Sequence, residues 1–399
     1  MKIYEFLSAL HRMCDFTEEF LGCFDVVENF SFSTTMSNDT YFDKRDMRNA
    51  AILQQILDED LPDFCSEYFV GISSRTTSLT RLNYAYDIRT FFSYLVRKIP
   101  RFQSKTTKEI SPADLESLSP FEIEAFLNYV SIYKDADGNV VRNGERGKSR
   151  KLSAIRSLIK FFEKKQVIRY NPTSSVDTPK LHDKEIVRLD SNEVSTMLDV
   201  VESGEGLSER QQKYTENSRV RDLAMVSLLL GTGIRVSELV GIDTTDINFN
   251  DLSFTVTRKG GARVILYFSE EVAGYLYDYY QLRMANEKAK DTNALFLSLQ
   301  NKRITTRAVE NVVKKYSQIA APLKKITPHK LRSTYGTQLY RETGDIYVVA
   351  AVLGHRDVNT TKKHYAAITE DIRKNASTKV TLRPTEEENT SQNKPKNDK

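Results

Sequence analysis

Cysteine is scarce in this sequence. The 399 residues contain three, Cys14, Cys23 and Cys65, all within the first 65 positions. Three scattered thiols make neither a disulfide framework nor a zinc ribbon, and they suit a reducing compartment. Long apolar runs are missing as well. None approaches the roughly 18 residues of a membrane span, and the N-terminus has no basic stretch followed by an apolar core. Secretion and membrane residence are therefore not expected, and a cytoplasmic location is. Net charge is small too, at +4, but that average covers unlike parts. Residues 1–60 hold 5 Lys/Arg against 12 Asp/Glu, so the remaining chain carries a surplus of +11. A basic body is what a polyanionic partner needs, although a soluble surface can also be basic.

What is present is an ordinary globular balance, 40% hydrophobic and 28% charged residues. At about 150 residues per domain the length predicts two or three domains. A core of that size needs no disulfide or metal staple.

Residues 1–50 mix apolar stretches with the polar segment Ser31–Asp46 and suggest two short helices around a loop; Ala50–Leu57 adds a helical turn or two. From Leu61 the apolar spacing becomes firmly helical. Leu82, Tyr86, Ile88, Phe91, Phe92 and Leu95 share a face of Thr80–Arg97. Ser119-Pro120 opens another helix. Lys148–Lys165 sets Leu152, Ile155, Leu158, Ile159 and Phe162 against a basic side that includes Lys148, Arg150, Lys151 and Arg156. Asn171-Pro172 breaks that helix, and Thr173–Glu185 reads as a linker. A second domain begins near Val187. Asp190 caps a helix running to about Val201, and Arg221–Leu230 is apolar enough to be a buried helix ended by Gly231-Thr-Gly233. Asp246–Phe268 alternates around Arg258-Lys-Gly-Gly261 as a β-hairpin does. Ser269–Glu287 and Thr305–Ala320 are helical again. No aliphatic residue follows Leu382, so the polar residues 381–399 are expected to be disordered.

Three of the five histidines, His329, His355 and His364, fall within 36 residues. In Ile326-Thr-Pro-His-Lys-Leu-Arg332, Thr327 is a natural N-cap and Pro328 a natural first helical residue. His329 and Arg332 then stand three apart near a helix start, which describes either an anion site or a solvated basic helix end. Arg235 follows a buried helix and a glycine turn; it is either a functional cation or half of an ion pair with Glu238. Lys259, at a hairpin tip, is either solvated or free to enter a site when substrate arrives. Tyr365, near His364 and basic residues, is either a packing tyrosine or a nucleophile.

In order along the chain these make Arg235, Lys259, His329-Lys-Leu-Arg332, Leu353-Gly-His355 and Tyr365. The set resembles the tyrosine recombinase (phage integrase) family of the XerC/XerD-like type, over roughly residues 60–378. Thr232-Gly-Ile-Arg-Val-Ser-Glu-Leu239 is similar to the family's first arginine motif and Arg258-Lys-Gly-Gly-Ala-Arg263 to its lysine hairpin. One departure is in spacing. In many relatives the nucleophile lies nine residues after the Leu-Gly-His histidine, a position held here by His364, while Tyr365 is tenth. One residue turns a helical side chain by about 100°. Only the phenol gives the family's linkage, so the assignment stays with Tyr365, with His364 as a supporting candidate. The acidic front end, which compact relatives lack, is a second departure.

The resemblance implies a mainly α fold with a small antiparallel β-sheet. A helical, SAM-like core DNA-binding domain (61–172) and an α+β catalytic domain (187–380) would form a C-shaped clamp, joined by a linker (173–186) and flanked by an acidic extension (1–60) and a tail (381–399). It implies site-specific DNA recombination through a 3′-phosphotyrosyl intermediate, with no metal and no cofactor. Arg235, Lys259, His329, Arg332, His355 and Tyr365 would be catalytic; Lys148, Arg150, Lys151 and Arg156 would contact DNA. The partners would be double-stranded DNA, three further copies in a tetrameric synaptic complex, and an accessory recombination factor. A catalytically idle DNA-binding protein on the same scaffold, or a monomeric type IB topoisomerase, are the competing readings. The extension tilts the role toward a mobile element or an inversion switch, and it is expected to contact protein or cover the basic groove, so that deleting it leaves DNA binding intact or raises it.

Overall fold

The computed structural model describes residues 40–135, 138–180, 187–258, 261–289, 293–354 and 358. They form two separate hydrophobic cores with a small third cluster beside the second.

The first core is helical. In order it comprises α1 (Tyr41–Glu59), α2 (Phe64–Gly71), α3 (Ser78–Lys98), α4 (Pro112–Glu116), α5 (Pro120–Tyr129) and α6 (Glu145–Lys164), with a small hairpin of β1 (Ile132–Lys134) and β2 (Val140–Arg142) between the last two helices. Aromatic rings fill it: Phe91 meets Phe126 edge-on at 5.0 Å, and Phe64 meets Phe162 at 5.2 Å. Ser119 caps α5 as its sequence suggests, its hydroxyl accepting the Glu122 N–H while the Glu122 carboxylate accepts the Ser119 N–H at 2.8 Å. The apolar face of α6 is buried as its spacing requires.

Helix α1 differs from the sequence reading. It starts at Tyr41 and not near Ala50, because Thr40 and Asp43 form a reciprocal cap ahead of a stretch with little apolar periodicity. Residues 41–59 were assigned to an appendage, yet Leu53, Ile56 and Leu57 lie in the same core as Leu61, Phe91 and Phe92. The helix packs along α3, where Asn49 Nδ2 donates to Ser78 Oγ at 3.0 Å. Its first residues reach the other core. Tyr41 packs against that cluster with the Arg303 guanidinium over its ring, and Phe42 fills the space where a side chain on Gly241 would stand.

The second core is built around α9 (Arg219–Thr232). It is preceded by α7 (Ser191–Ser203) and α8 (Glu209–Glu216) and followed by α10 (Val236–Gly241). Nearly every residue of α9 from Asp222 to Leu229 is buried, as an all-round apolar helix must be. It packs on α7, on α11 (Glu270–Met284) and on α13 (Pro328–Thr343), with α12 (Thr306–Ala320) against α7. Buried Asp222 accepts from four side chains: Arg221 Nη2 at 2.7 Å, Tyr316 Oη at 2.9 Å, Lys315 Nζ at 3.1 Å and Ser218 Oγ at 3.3 Å. Strands β3 (Ile247–Asn248), β4 (Ser253–Thr257) and β5 (Arg263–Tyr267) form an antiparallel sheet in that order. Thr257 pairs with Arg263 as the last pair of the β4–β5 hairpin. Helix α14 (Ile346–Leu353) closes the described chain and packs on α13.

Candidate active site

Three backbone devices bring distant residues to one place. Helix α9 ends where Gly233 adopts φ +63°, a left-handed conformation that glycine accepts without strain. The chain then turns through buried Ile234, and Arg235 becomes the N-cap of α10. Helix α13 starts as its sequence predicts, with Thr327 at the cap and Pro328 first in the helix, although the Thr327 hydroxyl makes no capping bond. Helix α14 is capped by the Asp345 carboxylate at its start and ends at Gly354, again left-handed at φ +63°.

The last carbonyls of a helix lack intrahelical donors and carry the negative end of its dipole. Here three guanidinium groups supply the donors. Arg258 Nη2 donates to the Val352 carbonyl at 2.8 Å, Arg332 Nη2 to that of Leu353, and Arg235 Nη2 to that of Gly354 at 3.3 Å. Arg332 Nη1 also donates to the Gly233 carbonyl at 2.6 Å, tying the end of α9 to the end of α14. Arg332 is only 5% exposed. His329, one turn earlier on α13, is exposed.

Arg235 is both alternatives the sequence left open. It pairs with Glu238 at 2.7 Å, and the same buried carboxylate accepts the Arg235 backbone N–H at 2.9 Å. The pair holds the guanidinium toward Gly354 and does not remove it from the cluster. Arg258 lies close enough to feel both residues. Burial lowers its basicity, Glu238 opposes that, and the neighbouring charge of Arg235 adds to it. Its Nε is buried and has no hydrogen-bond partner among the described residues. The sequence reading quoted Arg258 inside a motif and gave it no role. The only signal was its place as the residue after β4, directly before the hairpin tip.

Lys259, His355, His364 and Tyr365 lie outside the described residues. In the chain, Lys259 directly follows Arg258 and His355 directly follows Gly354, so both continue from residues of the arginine cluster.

The four cations proposed for DNA on α6 separate. Lys151 is 4% exposed, with its ammonium 2.8 Å from Asp87 Oδ1. It is a core residue and not a DNA contact, because its charge offsets a fully buried carboxylate. Burial pushes the Asp87 carboxyl up, and Lys151 and Arg150 pull it back. Arg150 also reaches Asp87, at 2.5 Å, but its side chain is 46% exposed. Lys148 pairs with Glu145 at 3.1 Å. Arg156 binds the segment after α6, donating to the Val176 carbonyl and to Thr178 Oγ1.

Residues 187–371 match the Phage integrase family. Tyrosine recombinase XerS of Streptococcus agalactiae serotype III is 32% identical over 360 residues, covering 84% of this chain and 100% of the relative. XerS of Lactococcus lactis subsp. cremoris MG1363 is 31% identical over 357 residues, covering 83% of this chain and 99% of the relative. Tyrosine recombinase XerC of Caldanaerobacter subterraneus subsp. tengcongensis is 30% identical, covering 88% and 91%. Among solved structures, the XerH site-specific recombinase in a post-cleavage complex with palindromic difH substrate aligns with a TM-score of 0.61 at 16% identity, covering 86% of this chain and 91% of that one. The Tn1549 transposon integrase bound to transposon right-end DNA aligns with a TM-score of 0.54 at 18% identity, covering 77% and 98%. At these identities the structural likeness speaks for the fold.

Proposed function

The chain belongs to the tyrosine recombinase (phage integrase) family and is a site-specific recombinase, and we propose that it cuts and rejoins DNA with Tyr365 as nucleophile. The observation that carries the residue assignment is the convergence of Arg235 and Arg332 on the Leu353–Gly354 turn, one residue before His355.

The Tyr365 phenolic oxygen forms a bond to the scissile phosphorus, and the bond from phosphorus to the 5′ oxygen breaks. The product is a 3′-phosphotyrosyl link and a free 5′-hydroxyl. Attack by the 5′-hydroxyl of a partner strand reverses the step and joins the strands. The ester conserves the bond energy, so no nucleotide cofactor is called for.

The pentacoordinate transition state carries added negative charge on its non-bridging oxygens. Arg235 and Arg332 clamp those oxygens with paired N–H donors, a role that metal ions fill in other nucleases. Each guanidinium also donates to a neutral carbonyl, Gly354 for Arg235 and Leu353 for Arg332, and against those acceptors an anionic oxygen is the stronger, roughly twofold. His355 adds a hydrogen bond to the same oxygens. His329, exposed at the start of α13, assists proton transfer from the phenol. Lys259 delivers the proton to the leaving 5′ oxygen as general acid.

The two domains grip a duplex between them as a clamp. Lys148, Arg150 and Arg156 contact phosphates from α6, and neutralising them releases counterions, so affinity falls as salt rises. Strand exchange joins two duplexes and therefore four copies of the chain, and a tetramer bound to a Holliday junction is known for lambda integrase. Whether the outcome is integration, excision, inversion or resolution is set by the number and orientation of target sites.

The test is a nicked duplex whose site has been selected from a random pool by binding to the protein. Denaturing gels should show a covalent adduct that Tyr365→Phe abolishes and His364→Ala retains. An adduct that survives in Tyr365→Phe overturns the assignment.

A further inference from the structure

We propose that Arg258 is a third catalytic guanidinium, donating to a non-bridging oxygen of the scissile phosphodiester beside Arg235 and Arg332. The inference rests on the recombinase reading and adds to it a residue from the strand that leads into the lysine hairpin.

The first argument is position. Val352, Leu353 and Gly354 are consecutive, and each carbonyl takes a donor from a different arginine: Arg258, Arg332 and Arg235. Three consecutive carbonyls are close neighbours in space, so the guanidiniums that cap them are neighbours too. A Cβ on Gly354 would overlap Arg258 Nη1, so the Arg258 head lies against the residue that Arg235 also touches.

The second argument is charge. Within this group the carboxylate is Glu238, and it already pairs with Arg235. Among the described residues Arg258 forms no salt bridge, and its side chain donates to a neutral carbonyl, that of Val352. A partly buried guanidinium with like charge beside it is costly to keep. An arriving phosphate supplies the missing anion.

The third argument is donor geometry. The Nε of Arg258 is buried without an acceptor. Guanidinium presents Nε–H and Nη–H as a planar fork that matches two oxygens of one phosphate. Arg258 therefore holds a donor that no described acceptor satisfies, closed off from solvent here, and a turn of the head group is what would bring it to a phosphate oxygen. Backbone bonds hold the residue in place: Arg258 N–H donates to the Ala262 carbonyl at 2.8 Å, and its own carbonyl accepts from Gly261 N–H at 3.0 Å.

A purely structural Arg258 would instead pin the hairpin base to the end of α14. The two roles are separable by substrate. A methylphosphonate at the scissile position replaces one charged oxygen with a methyl group, so its transition state has less charge to stabilise. Single-turnover adduct formation is measured for the wild type, Arg258→Ala and Arg258→Lys on the selected nicked duplex, with phosphodiester or methylphosphonate at the scissile position. On the phosphodiester, Arg258→Ala should lose about 10²-fold. Arg258→Lys, which keeps the charge without the fork, should lose less. On the methylphosphonate most of the Arg258→Ala deficit should disappear. Rescue confined to one phosphorus diastereomer identifies the oxygen that Arg258 contacts. Equal losses on both substrates by both variants overturn the proposal and leave a positioning role. Failure of the wild type to form any adduct overturns the recombinase reading itself, so the two failures are distinct.

Discussion

The Glu238 carboxylate holds Arg235 at two points, the backbone N–H at 2.9 Å and Nη1 at 2.7 Å. One bond starts helix α10 and the other aims the guanidinium, so the same side chain builds the turn and orients its functional group. Glu238→Gln keeps an acceptor for the backbone N–H but removes the charge. It should leave the melting temperature nearly unchanged while slowing covalent adduct formation about tenfold, the scale of one weakened charge-assisted bond. Glu238→Ala should also destabilise the protein, by about 2 kcal/mol, because the cap and a buried pair are lost together. Equal adduct rates for wild type and Glu238→Gln would show that the charge plays no part in aiming Arg235.

Lys151 and Arg150 are adjacent in sequence, share Asp87, and should respond oppositely to replacement. Lys151→Ala leaves a buried carboxylate with one partner fewer and should cost about 3 kcal/mol in chemical denaturation. The salt dependence of DNA binding should stay as it was. Arg150→Ala should be milder for stability and should reduce the slope of log affinity against log salt by about 1. A reduced slope for Lys151→Ala at unchanged stability would return that residue to the DNA interface.

Truncation separates the two parts of the acidic front end. A chain beginning at residue 40 keeps α1 and its cap and should melt as the full chain does. A chain beginning at residue 61 uncovers the surface that Leu53, Ile56 and Leu57 bury. Each such side chain contributes about 1.5–3 kcal/mol. That shorter chain should melt at a much lower temperature and associate in gel filtration. Identical melting of the two would mean that α1 adds nothing to the core.

Local signals carried far in this sequence. Asp190, Ser119, Pro328, Gly233 and Gly354 mark helix ends by chemistry acting over three or four residues, and each stands where its side chain or its lack of one suggests. Contacts between distant segments were not legible. The Lys151–Asp87 pair spans 64 positions and the Arg258–Val352 bond spans 94, so a basic helix face looked uniform when one of its charges points inward. Helix α1 was half seen because its first turns are set by a cap and by aromatic contact with another domain, neither of which produces an apolar repeat. Strands β1 and β2, three residues each, are too short to show alternation, and only their turn was visible.

The double reach of α1 has a mechanical consequence. A body joined to another by a single flexible strand can swivel about any axis through that strand. Here the expected linker is shorter than 173–186, because Thr173 is buried and Val176 still belongs to the first core; the domains are joined by the chain beyond that point and again where Tyr41 and Phe42 sit against Arg303 and Gly241. While that second junction holds, the rotation left free is about the line through both attachment points, as with a door on two pins. Any change in the angle between the two domains would then follow a single arc.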